Sequence, residues 1–142
     1  MTDLDRAKST LRAGAYTCVL CRGEVSHSSS LRGVKPLVLW RERGTELSDF
    51  SAADKVVGKA TAFLYVLHRV RAVYAAVISR GALAVLRENG ITVEYGELVE
   101  HIINRAGDGT CPFEAAVAGA VDAGDAYSII LSKMAELGIL ER

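Results

Sequence analysis

The stretch Asn104-Arg105-Ala106-Gly107-Asp108-Gly109-Thr110-Cys111-Pro112-Phe113-Glu114 joins a glycine-rich run to a proline-initiated helix start. Such a run offers unpaired backbone N–H groups to an anion, and Arg105 adds a bidentate donor beside them. A thiol at a helix head is acidified and becomes a better nucleophile, so Cys111 is a candidate catalytic group, with Glu114 in the positively polarised first turn. The bland reading is an ordinary loop before a helix with an inert cysteine. A second stretch, Asp54-Lys55-Val56-Val57-Gly58-Lys59-Ala60, sets a carboxylate, two amines and a glycine into what apolar spacing reads as the opening turns of a helix. Lys55 there opposes the helix dipole, and an acidic ligand or partner carboxylate would explain it. Gly58 inside a helix costs about 1 kcal/mol relative to alanine, for which a close approach of backbone or ligand is the usual reason. Asp54 has a structural reading as well, as the acid of a capping box opened by Ser51. One anion held between the two helix heads would account for the lysine and the loop together, which predicts that Asp54, Lys55 and Cys111 share a pocket.

Metal chemistry has less to stand on. Cys18-Val19-Leu20-Cys21 has the spacing of a zinc knuckle or redox pair, but it lies in a β-branched, aromatic run that reads as a strand. On a strand, residues three apart point to opposite faces, whereas a metal needs both thiolates converging on one point. No second C-x-x-C follows, and His27, His68 and His101 form no H-x-x-x-H pair. No metal and no cofactor are therefore expected, and the three cysteines read as thiols of a cytosolic chain.

The elements that must position these groups follow from periodicity and punctuation. Thr2 and Asp5 form an approximate capping box ahead of Leu4, Ala7 and Leu11, and Gly14 ends that helix. Residues 16–21 and a weaker strand from Val25 make a hairpin about Arg22-Gly23-Glu24. Residues 33–43 form a second helix with Pro36 near its start, and residues 51–68 read as the longest and most apolar helix. Residues 72–78 are a strand buried on both faces, 80–89 a helix and 91–95 another strand, so this βαβ unit predicts a parallel pair. Residues 99–105 are ambiguous. A helix opens at Pro112, and a last one runs from about Asp125 to Leu137. A hairpin leading into a parallel pair predicts a mixed central sheet in a three-layer α/β/α fold, with residues 1–142 as one domain.

Composition narrows the function classes. Seventeen acids balance seventeen bases, which supplies no bulk field for nucleic acid or anionic lipid. No apolar run reaches the roughly 18 residues that would span a bilayer, and Met1-Thr2-Asp3-Leu4-Asp5-Arg6 has no signal-peptide character, so a cytoplasmic, membrane-free protein is expected.

Gly33-Val34-Lys35-Pro36-Leu37, the 54–60 stretch, Ile78-Ser79-Arg80-Gly81-Ala82-Leu83, Ile103-Asn104-Arg105 and Cys111-Pro112-Phe113-Glu114 together resemble an uncharacterised bacterial family known only as a domain of unknown function. The likeness runs from about Tyr16 to the C-terminal helices, and it implies a cytidine-deaminase-like fold without implying an activity. Zinc deaminases carry H-x-E at one helix start and P-C-x-x-C at the next. The matching heads here are read as Ala53-Asp54-Lys55 and Ser79 to Leu83, where neither Arg80 nor Leu83 can replace a thiolate, so water activation by zinc is not expected. A zinc-free pocket where the two helix starts meet is expected instead, lined by Asp54, Lys55, Ser79, Arg80, Asn104, Arg105, Cys111 and Glu114. Three functions fit it. The first is binding of a small anionic or nucleotide-like ligand. The second is an enzyme with Cys111 as nucleophile, Lys55 or Arg105 lowering its pKa, and Asp54 or Glu114 exchanging protons. The third is an inactive scaffold assembling with itself, as a homo-oligomer, or with a partner through Trp40, Tyr65, Tyr74 and the C-terminal helix.

Overall fold

The computed structural model of the chain describes residues 1–103, 107, 109 and 111–139. Helix α1 (Asp3–Ala13) opens with a true capping box, the Thr2 and Asp5 side chains each serving the other's backbone N–H. Strands β1 (Cys18–Arg22) and β2 (Val25–Ser29) form the antiparallel hairpin, turned at Gly23 with φ 59°. Helix α2 (Lys35–Glu42) takes Pro36 in its first turn, where a missing N–H is no loss. Then come β3 (Ser51–Val57), α3 (Lys59–Leu67), β4 (Ala72–Ser79), α4 (Arg80–Glu88), β5 (Thr92–Val99), the short α5 (Pro112–Ala116) and α6 (Ala123–Glu136).

The five strands lie in the order β2-β1-β3-β4-β5. β3 is the pivot, antiparallel to β1 and parallel to β4, which is in turn parallel to β5. Successive right-handed crossovers that step in one direction put both helices on one face, and α3 and α4 pack against each other there. The main core lies between that face and α2, α3, α4 and α6, with Leu20, Leu37, Leu64, Val73, Ile78, Leu86, Ile130 and Met134 fully buried. On the other face α1 sets Ala7 and Leu11 against Val19, Cys21 and Ala53. The result is a three-layer α/β/α domain around a mixed sheet. In β1, Cys18 belongs to the first core and Cys21 to the second, as alternation requires.

One element departs from the sequence reading, since residues 51–57 are the central strand and not the opening of a helix. Ser51-Ala52-Ala53-Asp54-Lys55-Val56-Val57 is apolar enough to match a spacing of three or four. A strand covered on both faces loses its period-two signature and becomes indistinguishable from a buried helix. Ladders to β1 and β4 satisfy its backbone on both sides. Gly58 is then the N-cap of α3, in extended backbone, and Lys55 opposes no helix dipole. Likewise β5 runs on past Tyr95 to Val99, the first residue of the stretch read as ambiguous, and α6 begins at Ala123, capped by Asp122.

Helices α2, α4 and α6 end in the same way, with Gly44, Gly90 and Gly138 at φ 72°, 73° and 69° and the next N–H bonded back into the last turn. Helix α3 makes the same turn with Arg69 at φ 59°. A side chain in that left-handed position costs about 1 kcal/mol against glycine, and a cation at a helix C-terminus recovers about 0.3–1 kcal/mol.

Gly96 marks a close approach within the sheet, because a Cβ there would sit 2.9 Å from the Ala76 carbonyl oxygen of β4. The obstacle is backbone held in a ladder, so Gly96→Ala is expected to lower stability by about 1–2 kcal/mol. Urea unfolding should show a lower midpoint at unchanged slope, whereas Gly119→Ala, with open space around it, should show no comparable loss.

Candidate functional site

Asp54 sits in the middle of β3, and the pleat directs its side chain towards α3 while turning that of Lys55 away. It is 7% exposed. Its Oδ2 accepts a hydrogen bond from Tyr65 Oη of α3 at 2.6 Å, and the Val56 N–H approaches Oδ1 at 3.3 Å. Cys18, the direct cross-strand partner of Asp54, places Sγ 3.2 Å from the same phenol oxygen. Burial pushes the Asp54 carboxyl up to about 7 against the lowering effect of the Tyr65, backbone and Cys18 hydrogen bonds. Burial, then the neighbouring Asp54 charge, also raises the Cys18 thiol and the Tyr65 phenol well above their ordinary values. A carboxyl poised near neutrality is what a general acid or base needs, but this one is enclosed between sheet and helix, away from any solute.

The heads of α3 and α4 do meet, and side chains of the protein fill the junction. Ser79 caps α4, its Oγ accepting the Ala82 N–H at 3.2 Å. Arg80 is exposed and ion-paired with Glu100. Glu114 reaches from α5 to the start of α3, where Oε2 accepts the Lys59 N–H at 2.5 Å. Gly58 leaves the space for it, since a Cβ there would lie 2.8 Å from the Glu114 carboxyl carbon. The Lys59 stem runs past Gly81 of α4, and Nζ donates to the Ala118 carbonyl oxygen at 3.1 Å. Cys111 is half-buried and precedes α5; its N–H donates to the Ile102 carbonyl, and its side chain caps nothing.

Of the residues singled out in the sequence, Ser79, Arg80 and Glu114 therefore lie at these helix heads, each already bonded within the protein. Asn104 and Arg105 lie outside the described residues. Asp54 and Lys55 do not join Cys111 in one pocket, because Asp54 is sealed against Tyr65 and Lys55 faces away from it. Nor do Trp40 and Tyr65 offer an assembly face, as both are buried, while Tyr74 lies beneath Lys8 and Arg12. Lys59, Tyr65 and Cys18 are the partners that the sequence reading missed. Once Asp54 is assigned to a doubly covered strand, its need for a buried donor points to the only hydroxyl-bearing aromatic of α3. Among the described residues no group of three or more His, Cys, Asp or Glu side chains could hold a metal, and no helix is long and apolar enough to cross a membrane.

A mixed five-stranded α/β/α domain with occupied helix heads is the class that fold and site define. The profile described as TM1506, domain of unknown function (DUF1893), matches residues 6–134, and the chain belongs to that family. It is similar to the crystal structure of a DUF1893 family protein (TM1506) from Thermotoga maritima, with a TM-score of 0.84 and 28% identity over 94% of this chain and 91% of that one. No curated protein matches.

Two predictions follow from these contacts. Because the folded pKa of Asp54, about 7, lies above its unfolded value near 3.8, the native state holds the extra proton between them and stability falls as pH rises through that window. The full effect is roughly 4 kcal/mol. Asp54→Asn, which can still accept from Tyr65, should flatten this decline and match or exceed the parent at pH 8, as read by urea unfolding at stepped pH. His68, held low by burial, weakens both proteins alike as pH falls below 6.5, so the comparison is made pH by pH. A parent and variant with parallel profiles between pH 4 and 8 would contradict the assignment. Separately, Glu114→Ala should cost about 1 kcal/mol and speed hydrogen exchange at the Lys59 amide. Unaltered exchange there would remove Glu114 as the cap of α3.

Proposed function

We propose that this DUF1893 chain is a zinc-independent binding domain on a cytidine-deaminase-like layout, acting in the cytosol through what it holds and not through deamination. The observation that carries this reading is the Glu114 carboxylate on the Lys59 N–H at 2.5 Å. The anion-attracting head of α3, where a zinc deaminase begins its metal-binding helix, is closed here by an acid of the same chain.

The donor set agrees with that reading. With the helix starting at Lys59, the first head presents Gly58-Lys59-Ala60-Thr61, and the second presents Ser79-Arg80-Gly81-Ala82-Leu83. Neither offers the imidazole or thiolate ligands that zinc requires, and Lys59 and Arg80 bring positive charge to the place. The cysteine-dependent alternative draws no support from position either. Of the partners it calls on, Asp54 is sealed against Tyr65, Lys55 points to the other side of the sheet, Glu114 already accepts the Lys59 N–H, and Arg105 lies outside the described residues. A small anionic ligand at the helix heads would have to displace Glu114 first, so binding is better sought on another surface of the domain.

Elemental analysis and a deaminase assay on purified protein test the reading together. Expected are a zinc content well below one per chain and no ammonia released from cytidine, adenosine or guanine. One tightly held zinc per chain, or turnover of any of the three, would overturn it.

A further inference from the structure

We infer that the groove between the C-terminal ends of α2 and α3 is a binding site for a small phosphorylated ligand, with Arg69 and Arg41 as its anion-holding groups. The groove lies at the opposite end of α3 from Glu114 and is a half-open cleft of about 460 Å³. Arg41, Thr45, Glu46, Ser48, His68 and Arg69 are among its lining residues.

Arg69 carries the argument. Three helices of this chain end on glycine at a left-handed residue, and α3 alone puts an arginine there. The turn itself is intact, with the Arg69 N–H bonded to the Val66 carbonyl and the Val70 N–H to the Tyr65 carbonyl. The Arg69 carbonyl is tied down as well, accepting the Asp49 N–H at 3.0 Å. The backbone is therefore fixed in a conformation that a side chain disfavours, and non-glycine residues held in that way cluster at binding sites. The helix dipole recovers only part of that cost, and Arg71 brings a second arginine two residues later on ordinary backbone.

The guanidinium of Arg69 is exposed and has no carboxylate within 4.0 Å among the described residues. Arg41 also lines the groove, with its guanidinium carbon 5.8 Å from the centroid of the Tyr127 ring in a cation–π contact. Glu46 is the one acid in the lining; the Ser48 hydroxyl and N–H both bond to its carboxylate and hold its pKa below the usual range, with a smaller contribution from the charges of Arg22 and Arg69. His68 forms a buried floor, its ring nitrogen 2.8 Å from the carbonyl oxygen of Leu37 in the first turn of α2, which ties the end of α3 to that helix. Two arginines and a threonine lining one groove match the several acceptor oxygens of a phosphate monoester better than a single carboxylate. The site is independent of the helix heads and of the zinc question.

Titration with inorganic phosphate, followed by amide chemical shifts and by the thermal midpoint at matched ionic strength, is the test. Phosphate is expected to move the Thr45 and Arg69 amides and to raise the midpoint, and acetate is not. Arg69→Gly should weaken phosphate binding at least tenfold while leaving the midpoint without phosphate unchanged or higher, since glycine relieves the backbone. Arg71→Gln, which removes a nearby charge outside the groove, should change binding less than twofold. The proposal is overturned if the parent does not bind phosphate, if acetate binds as well, or if Arg69→Gly binds like the parent. Equal weakening by both variants overturns it too, because that would mean only diffuse surface charge.

Discussion

A carboxylate removed from water ties the two halves of this domain together. Asp54 stands on the strand where the sheet changes from antiparallel to parallel pairing, and its bond to Tyr65 fixes how α3 lies across that strand. Burying a carboxyl without a partner is far more costly than burying a satisfied one, so a helix rotated or shifted along its axis would strand the group. Other contacts inherit that placement. Once α3 is pinned, its first amide emerges where Glu114 can reach it, and its last turn meets α2 through His68. A single polar contact thus orients a layer that is otherwise held by non-directional apolar packing.

Much of the architecture was legible because local rules and tertiary structure agree there. The capping box at Thr2, the hairpin about Gly23, the proline-opened α2 and the β4-α4-β5 unit each carry their own punctuation. Residues 51–57 misled because burial on both faces erased the alternation that would have marked a strand. That one misassignment displaced the first helix head by several residues, from Asp54 to Lys59, and with it the imagined pocket. Glu114 was singled out for its place in a first turn, yet its partner lies 55 residues earlier, and no spacing rule reports a contact at that separation. The Cys18, Tyr65 and Asp54 cluster is equally non-local, assembled by strand register and helix placement together.

Likeness of fold and likeness of chemistry part company at the helix heads. Resemblance implied a deaminase-like arrangement, whereas the fold seen is a mixed-sheet α/β/α domain of the DUF1893 family, and chemistry resides in the groups presented at a site. Here those groups cap helices, pair with neighbours or fill the space a ligand would need. The same fold with other side chains at Gly58, Lys59, Arg80 and Glu114 would present a different surface to solution.

An open sheet leaves two rows of unpaired backbone groups, and this one ends in β2 and β5. β2 is only five residues long and rich in serine, too short and too polar a template for another chain. Among the described residues β5, eight residues long, is paired on one side only. Glu94 and Glu97 lie along it, and Gly96, needed for the close approach to Ala76, also denies an incoming strand a side chain to pack against. Copies aligned in register along this edge would bring like charges together, so the residues that let β5 fit its neighbour also keep it from recruiting another molecule into a growing fibre.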